Sequence, residues 1–178
     1  TVMSIISHLL LVAACLFITA AARAQSTPLS ITPSTCQLDE QNDLTQVDFY
    51  NNRAGHADTP AAGGAPVYLR CNVPGCGSSI CSYDTFQITY KDSSTSSNDF
   101  VKATLTEATL NDGTLTTLYT ISSDDAGCTD GDANVHTCAT TASKTLNFGS
   151  AVYFVLIELR RSTSSSESMY GISVFDAP

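Results

Sequence analysis

From about Gln46 onward, short stretches rich in β-branched and aromatic residues alternate with clusters of Ser, Asn, Asp and Gly. Branched and aromatic side chains pack well on a pleated surface and favour strands, whereas the polar clusters favour turns. No segment of useful length shows the period of an amphipathic helix. The pattern therefore predicts an all-β fold, an antiparallel β-sandwich of the jelly-roll or immunoglobulin-like kind with about eight or nine strands.

The predicted strands are short segments bounded by turn-forming residues. They span residues 29–32, 46–50, 67–73, 85–91, 101–109, 115–122, 144–148, 152–161 and 170–175. In 67–73 the apolar residues Val67, Leu69 and Cys71 alternate with polar ones, which indicates one buried and one solvated face. The sequence Asp112-Gly113 between two strands predicts a tight hairpin with a positive φ at the glycine. Residues 51–65 are expected to form a long irregular connection.

The predicted strand 152–161 is unusual because both of its faces are apolar between residues 152 and 159. One face carries Val152, Phe154 and Leu156, and the other carries Tyr153, Val155, Ile157 and Leu159. In one interpretation the strand is central, with one face in the core and the other under a loop. In the alternative, the face with Tyr153 packs against another subunit, because an exposed apolar strip marks an interaction surface. The candidate interface residues are then Tyr153, Val155, Ile157 and Leu159.

The N-terminal segment predicts export. Residues 4–22 are almost entirely apolar and end at Ala22-Arg23-Ala24, which is the pattern of a signal peptide with a small-x-small cleavage site. Cleavage after Ala24 divides the chain into a signal peptide, residues 1–24, and a single β-sandwich domain, residues 25–178. The alternative is a lipoprotein signal with a lipid anchor on Cys15. No later segment is long and apolar enough to span a bilayer, so the expected location is secreted or periplasmic.

Six of the seven cysteines follow the predicted signal peptide, and an even number of cysteines in an exported protein indicates disulfides. They are Cys36, Cys71, Cys76, Cys81, Cys128 and Cys138. Several pairings are open, but short sequence separations favour Cys76 with Cys81 and Cys128 with Cys138, which leaves Cys36 for Cys71. A zinc site built from the first four is the alternative, and it fits poorly because zinc ligands usually come in closely spaced pairs.

Oxygen-bearing side chains cluster inside and beside the loop that a disulfide between Cys128 and Cys138 would close. The candidate ligands are Asp125, Asp130, Asp132 and Asn134. The last three alternate along the chain, a spacing that suits calcium, which prefers oxygen ligands. The alternative is a solvated acidic loop, because Val135 stands where helix–loop–helix calcium sites need a glycine. Calcium is the one cofactor that the sequence suggests.

The charge balance and the histidines narrow the possible functions. The chain has 17 acidic and 8 basic residues, so nucleic acids and anionic membranes are disfavoured as partners. After the predicted cleavage only His56 and His136 remain, and neither accompanies a Gly-x-Ser-x-Gly motif or a second metal-binding histidine. The sequence therefore assigns no catalytic residue.

The leading functional hypothesis is an exported, non-enzymatic sandwich that binds a partner or associates with itself as an extracellular or periplasmic structural protein. The first alternative is a carbohydrate-binding module, in which exposed tyrosines replace the tryptophan that the chain lacks. A small secreted hydrolase is the third choice. The partners considered are a second copy, another extracellular protein or a glycan.

Overall fold

A computed structural model describes residues 28–39, 47–50, 53–56, 66–161 and 165–176 of the chain. These residues form eleven strands and one short 3-10 turn at Pro33–Thr35. The strands are β1 (Leu29–Ile31), β2 (Gln37–Leu38), β3 (Val47–Tyr50), β4 (Arg53–His56), β5 (Val67–Asn72), β6 (Ile80–Asp92), β7 (Phe100–Thr109), β8 (Leu115–Ser122), β9 (His136–Asn147), β10 (Ala151–Arg160) and β11 (Glu167–Phe175). The predicted signal peptide and Cys15 lie outside the described residues.

The strands form two antiparallel sheets, which confirms the predicted all-β sandwich. One sheet has six strands in the order β3-β4-β11-β6-β9, with β1 also paired to β11, and the other has five in the order β2-β5-β10-β7-β8. Inward residues of both sheets form one core, which includes Phe86 and Ile88 of β6, Leu105 of β7 and Ile157 of β10 as fully buried side chains. Among the described residues, no helix is long and apolar enough to cross a membrane.

The predicted alternation and hairpin are both present. Burial alternates along β5, where Val67, Leu69 and Cys71 are buried. The turn between β7 and β8 has Gly113 at a φ of 69°, as predicted. Two hydrogen bonds to the Asp112 carboxylate lower its pKa to about 2. The one from the Thr109 hydroxyl has the larger effect, and the 2.9 Å one from the Thr114 amide has the next largest.

Several strands extend beyond the prediction, β6 and β9 furthest, and two were missed by it. The expected strand at 144–148 is the end of the longer β9, whose first part consists of small polar residues that are mostly exposed. It is an edge strand held by main-chain pairing to β6, so it needs no apolar pattern. The short β2 was not predicted, and β4 lies in the segment expected to be irregular.

Three disulfides connect the strands, in the pairing that sequence separation favours. Cys36 and Cys71 have Cα atoms 4.3 Å apart, and this bond attaches the segment between β1 and β2 to the core strand β5. The Cα atoms of Cys76 and Cys81 are 6.5 Å apart, at the start of β6. The remaining pair, Cys128 and Cys138, has a Cα–Cα distance of 5.3 Å and attaches the β8–β9 loop to β9.

Candidate binding surface

The strand with two apolar faces is β10, which lies at the centre of the five-stranded sheet between β5 and β7. The four candidate interface residues all point into the core: Tyr153, Val155, Ile157 and Leu159 expose at most 3% of their surface. The prediction that this face contacts another subunit is therefore wrong, because the six-stranded sheet already covers it. The face that remains accessible carries Val152, Phe154 and Leu156.

We call the solvent side of β10, together with the outward residues of its neighbours β5, β7 and β8, the outer face. At one end the register places Ala108 of β7 between Val152 of β10 and Leu115 of β8. Leu115 is 64% exposed, Val152 is 53% exposed, and Leu110 in the adjoining turn is 59% exposed. These are three of the six large hydrophobic residues that the described part of the chain exposes, so apolar exposure is concentrated at this end.

Backbone pairing makes this apolar end rigid. The amide of Leu110 donates a 2.9 Å hydrogen bond to the carbonyl of Ser150, which holds the β7–β8 turn beside the start of β10. Half-buried Phe154 and Leu156 continue the apolar strip along the strand. A strip whose backbone is already paired in this way loses little conformational entropy when a partner covers it.

The other end of the outer face is charged and aromatic. The Lys102 ammonium donates to a Glu158 carboxylate oxygen at 2.7 Å and lies 5.5 Å from the centre of the Phe100 ring. The hydroxyl of Tyr68 donates to the other Glu158 oxygen at 3.5 Å. Burial raises the pKa of Tyr68 and Glu158 adds to the rise, so the hydroxyl stays a hydrogen-bond donor at neutral pH.

Between the two ends, Arg70 of β5 packs over the ring of Phe154. Its guanidinium carbon lies 4.9 Å from the centre of the Phe154 ring, a distance suited to a cation–π contact. The same guanidinium lies 3.5 Å from a carboxylate oxygen of Asp39. The charged groups of the outer face are therefore held by one another and by aromatic rings, and they leave the apolar end open.

The loop before β9 does not bring the four predicted calcium ligands together. An Asp132 carboxylate oxygen accepts from the Asn134 amide at 2.7 Å and lies 2.8 Å from Nε2 of His136, a contact that lowers the pKa of Asp132. A carboxylate oxygen of Asp125 accepts from the Ser122 amide at 2.7 Å. Within the described ranges, no group of three or more acidic, histidine or cysteine side chains is arranged to hold a metal ion. Calcium binding by Asp130 and its neighbours stays a prediction.

Sequence reasoning missed a set of buried acids at the end of the sandwich where β6 finishes. Asp92 is completely buried, Asp99 is 2% exposed and Glu167 is 1% exposed. A signal was present, since Asp92 continues the inward series of Phe86, Ile88 and Tyr90 at alternate positions.

A groove begins where the chain leaves β5, next to the start of β10. It has a volume of about 540 Å³ and is lined by Pro28, Leu29, Ser30, Pro74, Gly75, Cys76 and Gly77. None of these side chains ionises near neutral pH, because the only cysteine is in a disulfide. The groove lining therefore holds no acidic or basic side chain that could activate the Ser30 hydroxyl.

No protein-family model matches the chain, and no similar curated protein was found. Solved structures show a distant likeness. A family 32 carbohydrate-binding module from C. perfringens, in complex with galactose, is 16% identical with a TM-score of 0.38, and the match covers 84% of this chain and 100% of that one. A CBM35 module from Cellvibrio japonicus is 15% identical with a TM-score of 0.38, covering 85% and 95% of the two chains.

A family two carbohydrate esterase from Cellvibrio japonicus is similar at 10% identity and a TM-score of 0.35. The match covers 85% of this chain but only 34% of the esterase, so the chain spans about a third of that enzyme. At these identities and TM-scores the likeness does not extend to ligands or activities.

Proposed function

We propose that this protein is an exported, non-enzymatic sandwich and that one copy binds another through the apolar end of the outer face. The observation that carries the proposal is the grouping of exposed Val152, Leu115 and Leu110 on adjoining elements of one rigid sheet. Covering such a patch is favourable by roughly 25 cal/mol per Å² of apolar surface removed from water. The same patch on both copies gives a two-fold, self-complementary contact.

The position of the apolar end also suits self-association of an acidic protein. The formal charge is −9, so two copies repel each other at long range. The buried acids lie next to the start of β7, whereas the apolar end lies at its other end, roughly 30 Å away for a strand of this length. This separation is several times the screening length of about 8 Å at physiological salt, so the buried acids oppose the contact only weakly, and Asp112 in the β7–β8 turn is a nearer source of repulsion.

Size-exclusion chromatography with light scattering tests the proposal. The wild-type protein should show a molar mass that rises with concentration towards a dimer, and Val152→Glu should weaken the association at least ~10-fold, because a charge would be buried in the contact. Val135→Glu is the matched control: Val135 is 49% exposed in the β8–β9 loop, away from the outer face, and its change should have no effect. A wild-type protein that stays monomeric at every concentration tested would exclude the proposal.

Glycan binding at the charged end of the outer face is the second candidate. Tyr68 and Phe100 supply rings for the apolar face of a sugar, and Lys102, with Arg70 beside this end, supplies donors for its hydroxyl groups.

A glycan array separates the two candidates. Under the glycan hypothesis, Tyr68→Ala should abolish the array signal and leave the oligomeric state unchanged. Tyr170→Ala is the control, since Tyr170 is a half-buried tyrosine of β11 whose hydroxyl accepts from Arg53 at 2.9 Å. An array without signal for the wild-type protein would remove this candidate.

A further inference from the structure

The buried acids include two carboxyl groups that face each other across a strand pair. Asp92, the last residue of β6, is directly opposite Glu167, the first residue of β11, in the register that also pairs Tyr90 with Met169. Both side chains point between the sheets and close the core at this end, and neither exposes more than 1% of its surface. Like charges directly opposite each other in a sheet destabilise it, and burial increases the cost.

The two carboxyl groups differ in the hydrogen bonds that the protein donates to them. One Asp92 oxygen accepts from the Ser123 hydroxyl at 2.6 Å and the other from the Ser94 amide at 3.0 Å, contacts that suit an ionised carboxylate. Neither oxygen of Glu167 has a hydrogen-bond partner of good geometry among the described residues, although both oxygens are buried. An ionised carboxylate in that position would be uncompensated, whereas a protonated carboxyl group can donate to a neighbouring acid.

The described residues around the pair do not supply enough positive charge to compensate two ionised carboxylates. The charged groups around the pair are Asp99 before β7, Asp124 and Asp130 in the β8–β9 loop, and Arg161 after β10. Arg161 is the one cation among them. No set of three ligands in the described segments is arranged for a metal ion, so a proton is the simplest compensating charge.

We propose that Asp92 and Glu167 share one proton, carried mainly by Glu167, and that the loss of this proton loosens the end of the sandwich where β11 begins. The proposal is independent of self-association, because the pair lies at the opposite end of β7 from the apolar patch. Two further contacts connect the β8–β9 loop to this end of the sandwich. The Asp92 carbonyl accepts from the Gly131 amide at 3.1 Å, and the Tyr90 hydroxyl donates to the Thr129 carbonyl at 2.7 Å, so the β8–β9 loop rests on the end of β6.

The electrostatics give the direction of the pH effect. Burial raises the pKa of Glu167 from 4.5 to about 7, and Asp92 and Asp99 add to the rise while Ser165 and Arg161 oppose it. Burial raises the pKa of Asp92 as well. Between pH 4.5 and 7 the folded protein therefore holds a proton that the unfolded chain has released. Stability is highest below this range and falls as the pH rises through it.

Thermal unfolding between pH 5 and pH 8 tests the shared proton. The wild-type Tm should fall by about 5 °C over this range. Glu167→Gln, which mimics the protonated acid, should show a clearly smaller fall of Tm and unfold at a higher temperature than wild type at pH 8. The fall that remains comes from Asp124, whose pKa is raised to about 6 by desolvation. Asp92→Asn should also reduce the fall, and it provides a second variant if the first does not fold. Glu158→Gln, which changes an acid on the other sheet, should show the same fall of Tm between pH 5 and pH 8 as the wild-type protein.

Proteolysis reports on the local part of the proposal. At pH 8, trypsin should cleave after Arg161 several-fold faster in the wild-type protein than in Glu167→Gln, because Arg161 is 6% exposed until this end loosens. Equal cleavage rates, or an unchanged fall of Tm in both variants, would overturn the proposal. So would a rise in the wild-type Tm at pH 8 on adding millimolar calcium, since that result would identify a cation rather than a proton as the compensating charge.

Discussion

Replacing both Cys36 and Cys71 with alanine is expected to lower the free energy of unfolding by ~4 kcal/mol. This disulfide joins residues 35 positions apart, the longest separation of the three, and the entropy removed from the unfolded chain grows with the length of the closed loop. The bond also lies inside the structure, because Cys71 is 1% exposed on β5 and Cys36 is 9% exposed. Alanine avoids placing a hydroxyl group in the core.

Urea denaturation of the three paired variants gives the measurement. The separation of 10 positions between Cys128 and Cys138 corresponds to a loss of ~3 kcal/mol. For the 5 positions between Cys76 and Cys81 the loss is ~2 kcal/mol, so this bond, which closes the shortest loop, is the control for the loss of a disulfide as such. A larger effect at Cys76 and Cys81 than at Cys36 and Cys71 would contradict the loop-length argument.

The strands that the sequence predicted are those whose side chains meet the core. On β5 and on β7 as far as Leu105, a buried apolar residue occupies every second position, because one face meets the other sheet and the opposite face meets water. The first part of β9 has no such constraint, since main-chain hydrogen bonds to β6 determine its position and its threonines and alanines are mostly exposed. Alternation cannot reveal a strand that does not contribute to the core.

The candidate sites were harder to predict than the strands. Which side chains are exposed, and which lie next to one another, depends on how the strands pair and how the two sheets pack. Periodicity separates the two faces of β10 but cannot say which is inside when both are apolar. The pairing of Asp92 with Glu167 depends on the register of β6 with β11, two strands separated in sequence by four others. The residues that form the apolar end were visible in the sequence, but their proximity follows only from the hairpin and from the pairing of β7 with β10.

Adjacent residues of β10 provide the sharpest test of which face is inside. Ile157→Ala is expected to lower the free energy of unfolding by ~3 to 4 kcal/mol, because Ile157 is completely buried and its truncation leaves a cavity between the sheets. Leu156→Ala, on the half-buried outer face, should cost only ~1 kcal/mol, since water can occupy the space that it leaves. Urea denaturation of both variants is the measurement. If Leu156→Ala were the more destabilising change, the outer face would be the buried one, and the apolar end could not be the contact between copies.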